Sequence, residues 1–503
     1  MRVDRLDAGA AQSAPPGPGR ERLIALSLAA ALVLVRSFVF LRYESSFFDS
    51  DQAIVGLMAK HLEEGRAFPL FFYGQTYLLA VEAWLAAPLF WVAGASVATL
   101  RASLVLTNLA VAMLLIAGLE RWGGLRPLLG LAAIVFFAFA PPYTAALLVQ
   151  ANGANIEPFL FVLVLWTVRR RPLWFGAILA VGFLTREFTI YAVPVILVGQ
   201  LWDRSLFRAE TVQRWLLTAV VFFAVWEGVQ ALRPFADLMG PGTRGQLLRG
   251  FAASQFDNLS NRASFVAAEI PARGTAMLFH NLPRLLGASV VDETVARQGH
   301  DWMFWLLAAG LSAAVLRIGF IFVRGARLGV ERSAFGWYVL GLGVISAVGY
   351  VASRPASAVI DRYFLLGVFI PVGVVAVFLV HEPNRWPRQA MLSLVLIWTL
   401  ASGFDHLRLL QRVRGTAVPD ASRALADALV ARGIHTAEAG YWRAYKLTFL
   451  SGERLKIASN DFVRIDEYQN LAAAEGDRLI GIREQPCPGG ERLAGWYLCH
   501  QPP

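Results

Sequence analysis

The run Leu23-Ile24-Ala25-Leu26-Ser27-Leu28-Ala29-Ala30-Ala31-Leu32-Val33-Leu34-Val35-Arg36-Ser37-Phe38-Val39-Phe40-Leu41 decides the fold class. It has close to the roughly 20 residues that a membrane-spanning helix needs. It ends at Arg42-Tyr43 without the small-residue site of a cleaved leader, so it reads as a retained first span. Working outward, comparable apolar runs lie at 101–119, 127–149, 156–168, 172–184, 188–202, 215–232, 302–323, 335–352, 363–380 and 388–403, with one more at 77–95. A chain of 503 residues that is 56% hydrophobic is too apolar for a soluble globular protein. An α-helical polytopic membrane protein is predicted.

The formal net charge of +10 is carried almost entirely by Arg, in short clusters between the apolar runs. That placement points to membrane topology and not to nucleic acid, which would call for a basic, aromatic-bearing soluble face. Short cytoplasmic loops are enriched in Lys and Arg. The N-terminal arm, Arg121 with Arg126, Arg169 to Arg171, Arg204 to Arg214, Arg324 to Arg332, and Arg385 with Arg388 all fall on the cytoplasmic side if 77–95 is re-entrant or interfacial. About eleven spans then remain. Residues 1–22 are too poor in large apolar groups to pack and are expected to be a disordered cytoplasmic arm. Residues 23–403 form the membrane module, with external segments at 43–76, 150–155, 233–301 and 353–362. The tail 404–503 alternates helical patterns at 421–431 and near 445–450 with strand-like stretches at 437–441, 455–458 and 479–482, as expected of a small extracytoplasmic α/β domain. Its two cysteines, Cys487 and Cys499, allow either a local disulfide or two free thiols.

Just beyond the first span stands Phe47-Phe48-Asp49-Ser50-Asp51-Gln52, which opens a stretch where Ile54, Leu57, Met58 and Leu62 recur at helical spacing before Gly65. An amphipathic helix on the membrane surface is expected. Asp49 is a good N-cap, Gln52 completes a capping-box-like pair, and Asp51 suits the helix dipole. A cap does not exclude chemistry, since an acid at a helix start also presents a carboxylate to a substrate or metal. His61 is expected to be interfacial, without a catalytic part.

An acidic pair in the first external loop, an amphipathic helix, Tyr73-Gly74-Gln75-Thr76-Tyr77 and a Glu82-containing apolar segment together resemble the GT-C superfamily of membrane glycosyltransferases. The likeness is to the family-39-like branch, which includes protein O-mannosyltransferases and aminoarabinose transferases. The tail segment Tyr441-Trp442-Arg443-Ala444-Tyr445-Lys446-Leu447-Thr448-Phe449-Leu450 resembles members of the same broad group. The resemblance implies a multi-pass protein of a prokaryotic cytoplasmic membrane that moves a sugar from a polyprenyl-phosphate carrier to an extracytoplasmic glycan, lipid or protein acceptor. It implies a base for the acceptor, a cation near the leaving phosphate and an apolar groove for the carrier. Asp49 matches the first-loop acid and is the expected general base, with substrate contacts from Gln75 and Tyr77. Asp51 orients the base or holds a divalent ion such as Mg or Mn. The family's usual Asp-Glu is here Asp-Ser-Asp, which leaves the division of labour between the two acids open.

Three further positions fall on the same predicted side. Glu157, a charged group at the edge of an apolar run, costs roughly 2.5–3.5 kcal/mol in a span and must face protein or water. It serves as a second catalytic acid or as a structural hydrogen-bond partner. Thr185-Arg186-Glu187 interrupts a long apolar run and is expected at the tip of a short helical hairpin, where Arg186 and Glu187 either neutralise one another or bind substrate, Arg186 through its phosphate. Asp361-Arg362-Tyr363 opens a span, and the Arg362–Tyr363 pair either meets the carrier phosphate or anchors the helix at the interface. No P-loop, Gly-rich nucleotide fingerprint or His/Cys ligand cluster occurs. A transporter or lipid flippase is the alternative function. The lack of an evident internal repeat argues against it.

Overall fold

The computed structural model describes residues 18–43, 47–75, 78–236, 269–287, 301–323, 333–352, 361–415 and 421–500. Tyr77, most of the 233–301 loop, residues 353–360 and the first 17 residues of the expected arm lie outside the described residues. Residues 18–22 belong to the first helix and not to that arm.

Among the described residues seven helices are long and apolar enough to cross a membrane: Gly19–Arg42, Val97–Arg121, Ala209–Phe235, Asp301–Val323, Ala334–Ala352, Asp361–His381 and Arg385–Gly415. The last of these runs well past residue 403, where the apolar run ends. Leu216, Val220 and Phe223 on one helix and Leu316 and Val323 on another are exposed, as lipid-facing side chains are. Among the described residues, seven such helices, or eight if a bent pair counts as one span, stand against the expected count of about eleven. The runs at 156–168, 172–184 and 188–202 form only short apolar helices, Glu157–Val168, Pro172–Thr185 and Glu187–Trp202. A 12-residue helix is about 18 Å long, against a hydrocarbon core of about 30 Å. The ambiguous stretch becomes Val81–Ala93, likewise too short to cross.

The run at 127–149 is two helices, Pro127–Ala138 and Pro142–Leu148, bent by 85°. Pro141 and Pro142 lack the N–H groups that would close the ladder onto Phe137 and Ala138. The carbonyls freed at the break are caught by neighbouring helices. Arg36 donates to the Phe137 oxygen, Ser402 Oγ to that of Phe139 at 3.0 Å, and His406 Nε2 pairs with that of Ala140 at 2.9 Å. Unpaired, each would cost several kcal/mol in a dry interior. The break turns the chain inward, so that Glu157, at the start of the next short helix, is fully buried.

The two ends of the bundle differ in chemistry. At one pole Arg126 pairs with Glu21 at 2.7 Å and Arg22 with Glu120 at 3.4 Å, and Arg169 lies over the Trp122 ring. At the other lie the helix starts that carry Asp51, Glu157 and Arg362 and the helix end that carries Arg186.

The C-terminal domain is a five-stranded sheet ordered β2-β1-β3-β5-β4, with β1 Thr436–Ala439, β2 Lys456–Ser459, β3 Ile480–Arg483, β4 Glu491–Leu493 and β5 Trp496–His500. The β1–β2 and β1–β3 pairs are parallel, and the last two pairs are antiparallel. Helices Ala421–Ala431, Tyr441–Leu450 and Asp466–Glu475 complete it. Cys487 and Cys499 are joined as a disulfide with Cα atoms 6.0 Å apart.

The helix Ser50–Glu63, expected to be amphipathic with one face free, is covered by protein on two sides. It packs between Val81–Ala93 and the domain's Tyr441–Leu450, burying Gln52 to Ala59 and His61. Its second covered face is invisible to local periodicity because the cover comes from the far end of the chain. At the crossing a Cβ on Gly56 would stand 2.5 Å from the Phe449 ring. Gly56→Leu is therefore expected to expel Phe449, forfeiting roughly 1.5–3 kcal/mol of burial. Limited proteolysis of the nanodisc-embedded protein should show faster cleavage within residues 421–500. Gly228→Ala, where a Cβ meets only open space, should leave the pattern unchanged.

Candidate active site

The loop after the first helix is pinned from below. Arg101 donates to the carbonyls of Phe40 and Phe47, both at 2.6 Å, and the Gln52 amide donates to Phe47 O at 2.9 Å. Asp49 then acts as N-cap, its Oδ1 accepting from Gln52 N–H at 3.0 Å in an extended backbone. The Gln52 side chain bonds to Phe47 and leaves the expected capping box unclosed. Burial raises the Asp49 carboxyl above its ordinary value, and the charge of Asp51 adds to the shift.

Asp51, two residues on, opens onto a pocket of ≈ 450 Å³. Its Oδ1 accepts a short hydrogen bond from the Tyr441 hydroxyl. Burial and the Asp51 charge push that phenol far up, so it remains a donor. Arg362, Arg464, Asp461, Trp442 and Phe462 complete the lining. Asp361 is fully engaged elsewhere: Arg284 lies 3.0 Å away, and Tyr143 and Asn281 each donate at 2.6 Å. That anchor fixes the helix start while Arg362 turns to the pocket, where it donates to Asn152 at 2.7 Å.

Through Asn152 the pocket adjoins a second group. The neighbouring Gly153 and Ala154 both have left-handed backbones, with φ of +72° and +67°, and this aims the peptide groups both ways. Glu82 accepts from Gly153 N–H at 3.0 Å, and Arg186 donates to Gly153 O at 2.8 Å. Arg186 also lies 5.1 Å from the Tyr363 ring centroid, while its contact with Glu187 is a loose 3.9 Å. Its helix, Pro172–Thr185, packs chiefly on Ala209–Leu232 and Glu157–Val168, and it meets the expected hairpin partner at 188–202 mainly through Glu187–Tyr191. Glu157 faces backbone N–H groups of Ile156 and itself, within electrostatic reach of Glu82 and Arg186, and neither carboxyl oxygen has a hydrogen-bonded side-chain partner.

Of the positions expected from sequence, Asp51 and Arg362 share the pocket. Arg186 and Tyr363 are linked to it through Asn152 and Gly153, Glu157 and Glu187 neighbour Arg186 without lining the pocket, and Asp49 caps the helix that carries Asp51. Gln75 sits on the turn whose Gly74, φ +69°, lies against Arg464, and Tyr77 is outside the described residues. Asp51 stands beside two guanidiniums and a phenol, a donor set that does not fit a divalent cation. Among the described residues no group of three or more His, Cys, Asp or Glu side chains has metal-ligating geometry. Tyr441, Asp461 and Arg464 carry no functional signal in the sequence beyond the resemblance of the Tyr441–Leu450 segment.

Glu453 holds the domain over the pocket. Lys60 at 2.7 Å, Arg66 at 2.6 Å and His61 at 3.1 Å reach it from the first loop, and the Tyr468 hydroxyl donates at 2.8 Å. His61 is completely buried, bonded also to Tyr73 OH at 2.9 Å, and is not interfacial.

Fold and site together define an α-helical polytopic membrane protein whose reactive groups collect at one pole under a small α/β domain. No protein-family model matches the sequence, and no curated protein does. Among solved structures it is similar to ArnT from Cupriavidus metallidurans bound to undecaprenyl phosphate. The match has a TM-score of 0.56 at 11% identity over 95% of this chain and 97% of that one. The apo state of the same protein aligns at a TM-score of 0.46 and 12% identity over 91% and 88%. At such identity the first likeness shows the fold alone, a helical membrane module followed by a small C-terminal α/β domain as expected from the sequence.

Burial works to raise the Glu453 carboxyl, but His61, Lys60 and Arg66 prevail and hold it far below its ordinary 4.5. A depressed folded value means that its contribution to docking is complete above 4.5 and decays as pH falls through the lower folded value. Protection of residues 421–500 from hydrogen exchange in nanodiscs, taken relative to the intrinsic amide rate at each pH, should therefore fall as the pH is lowered below 4.5. Glu453→Gln should show loosened docking already at pH 7, by roughly 1.5–3 kcal/mol, with a flatter acid response.

Proposed function

We propose that this protein is an integral membrane glycosyltransferase that moves a sugar from a polyprenyl-phosphate carrier to an acceptor at the extracytoplasmic face. The observation that carries the reading is the juxtaposition of the Asp51 carboxylate and the Arg362 guanidinium in one pocket, at the pole opposite the Arg-rich loops. Acceptor activation and phosphate departure need those two charges a short distance apart. The likeness to a structure that holds undecaprenyl phosphate supports the carrier. The basic clusters at the opposite pole and the Cys487–Cys499 disulfide support the extracytoplasmic side.

In this reading Asp51 takes the proton of the acceptor hydroxyl as its oxygen attacks the anomeric carbon. The bond from that carbon to the phosphate oxygen breaks, and the phosphate departs with the bonding pair onto Arg362, with Arg186 behind it. Planar guanidiniums suit the phosphate oxygens. The geometry favours Asp51 over Asp49 as base, because Asp49 is committed to the cap through Oδ1 and does not line the pocket. Tyr441 holds Asp51 in place, and Glu157 with Glu82 balances the charge of Arg186.

Asp51→Asn is expected to lower transfer from an undecaprenyl-phosphate sugar about 10²–10⁴-fold, in line with loss of a general base, with an unchanged melting temperature. Asp49→Asn should chiefly lower stability, by roughly 0.5–2 kcal/mol for a weakened cap. Full activity in Asp51→Asn with none in Asp49→Asn would reverse the assignment. Failure of the wild-type protein to bind undecaprenyl phosphate would remove the carrier reading.

A further inference from the structure

The pocket beside Asp51 has a wall that the transfer chemistry does not use. Trp442 and Phe462, 62% and 52% exposed, flank it, and both rings stand edge-to-face with Tyr441, at 5.1 and 5.5 Å. Exposed aromatics on a membrane protein serve commonly as interfacial anchors. Here Trp442 also borders a second concavity, lined by Ser422, Arg443 and Lys446 together with Leu425, Leu447 and Trp496, so charged side chains flank it on both sides.

Between the two rings lies Asp461. Its Oδ1 takes three hydrogen bonds, from Tyr441 N–H at 2.7 Å, Phe462 N–H at 2.8 Å and Ser459 Oγ at 2.9 Å. Its Oδ2 makes none of them, so a rigidly held carboxylate keeps an acceptor oxygen available. Arg464 is buried, stacks on Phe462 with its guanidinium 4.4 Å from the ring centroid, and donates to Tyr73 O at 3.3 Å. It also bonds Tyr441, and its Nε is buried, so what it can offer a ligand comes from the remaining Nη donors. Two carboxylates, Asp51 and Asp461, stand against two guanidiniums, Arg362 and Arg464. A polyanion would meet as much repulsion as attraction in such a site.

We propose that this wall is a carbohydrate-binding acceptor subsite: a saccharide stacks on Trp442 and Phe462, hydrogen-bonds to Asp461 and Arg464, and presents one hydroxyl to Asp51. The inference rests on the transferase reading and adds the chemical class of the acceptor. A pyranose offers apolar C–H faces to aromatic rings and a rim of hydroxyls that both donate to carboxylate and accept from guanidinium. The ≈ 450 Å³ volume lies within the roughly 300–1,000 Å³ of small-molecule sites. The lipid-linked donor comes from the apolar helices, whereas this wall belongs to the C-terminal domain. Donor and acceptor therefore approach Asp51 from opposite sides.

The test uses the full chain in nanodiscs, with a panel of methyl hexopyranosides, methyl N-acetylhexosaminides and simple disaccharides as probes for saturation-transfer NMR. Wild-type protein should saturate the ring protons of at least one probe. Trp442→Ala, Asp461→Asn and Phe462→Ala should each cut that signal by about tenfold while leaving undecaprenyl phosphate binding, measured by native mass spectrometry on the same samples, unchanged. Trp442 is mostly exposed, so its substitution leaves the fold intact, and the melting temperature checks this. No probe binding by wild type overturns the proposal, as does signal retained in all three variants or a loss confined to undecaprenyl phosphate. Saccharide binding without any undecaprenyl phosphate binding would keep the subsite and sink the carrier reading.

Discussion

One carboxylate, Glu453, ties the chain's two distant halves together. A buried charge is tolerated only when paired and hydrogen-bonded, and the partners of this one come from both sides of the joint. Lys60, His61 and Arg66 belong to the first loop, and Tyr468 belongs to the domain. Glu453 itself sits in a left-handed backbone, φ +64°, uncommon for a residue with a side chain. The strain is sustained because the network around it over-determines its place. With the joint closed, the Tyr441–Leu450 helix lies along Ser50–Glu63, Tyr441 reaches Asp51, and Arg464 reaches the turn at Gly74. Most polar relationships at the pocket follow from that closure.

A second constraint acts from within the membrane. The Pro141–Pro142 pair forces a break, and the break is tolerable because Arg36, Ser402 and His406 take up the freed carbonyls. A helix that turns by 85° leaves room that full-length neighbours would fill. The short helices beginning at Glu157 and ending at Thr185 hold Glu157 and Arg186 buried within the bundle, where a charged group must face protein and not lipid.

The sequence discloses what is local. Full-length spans are legible because apolar composition is a property of each segment, and the capping role of Asp49 is legible because its partner is three residues away. Two of the domain's three helices and its first three strands are legible from alternation, whereas the helix Asp466–Glu475 and the short, half-exposed β4 and β5 are not. The break at 139–141 escapes a hydropathy reading, since a missing N–H does not change how apolar a stretch is. The face of Ser50–Glu63 that meets Phe449, and hence the burial of His61, depends on residues nearly four hundred positions away. For the same reason the difference between Asp49 and Asp51 is invisible in Phe47–Gln52: only the position of Tyr441 decides which acid opens onto the pocket.

That separation has a consequence for the order of events during synthesis. Lys60 and Glu453 are 393 residues apart, so a ribosome adding about 5–20 residues per second needs roughly 20–80 s to deliver the partner. Throughout that interval the helix Ser50–Glu63 exists with its cover missing. Its cationic residues and the apolar flank around Gly56 wait for the last hundred residues of the chain. Nascent chains stalled before Tyr441 carry a site whose two acids are present and whose architecture is still open.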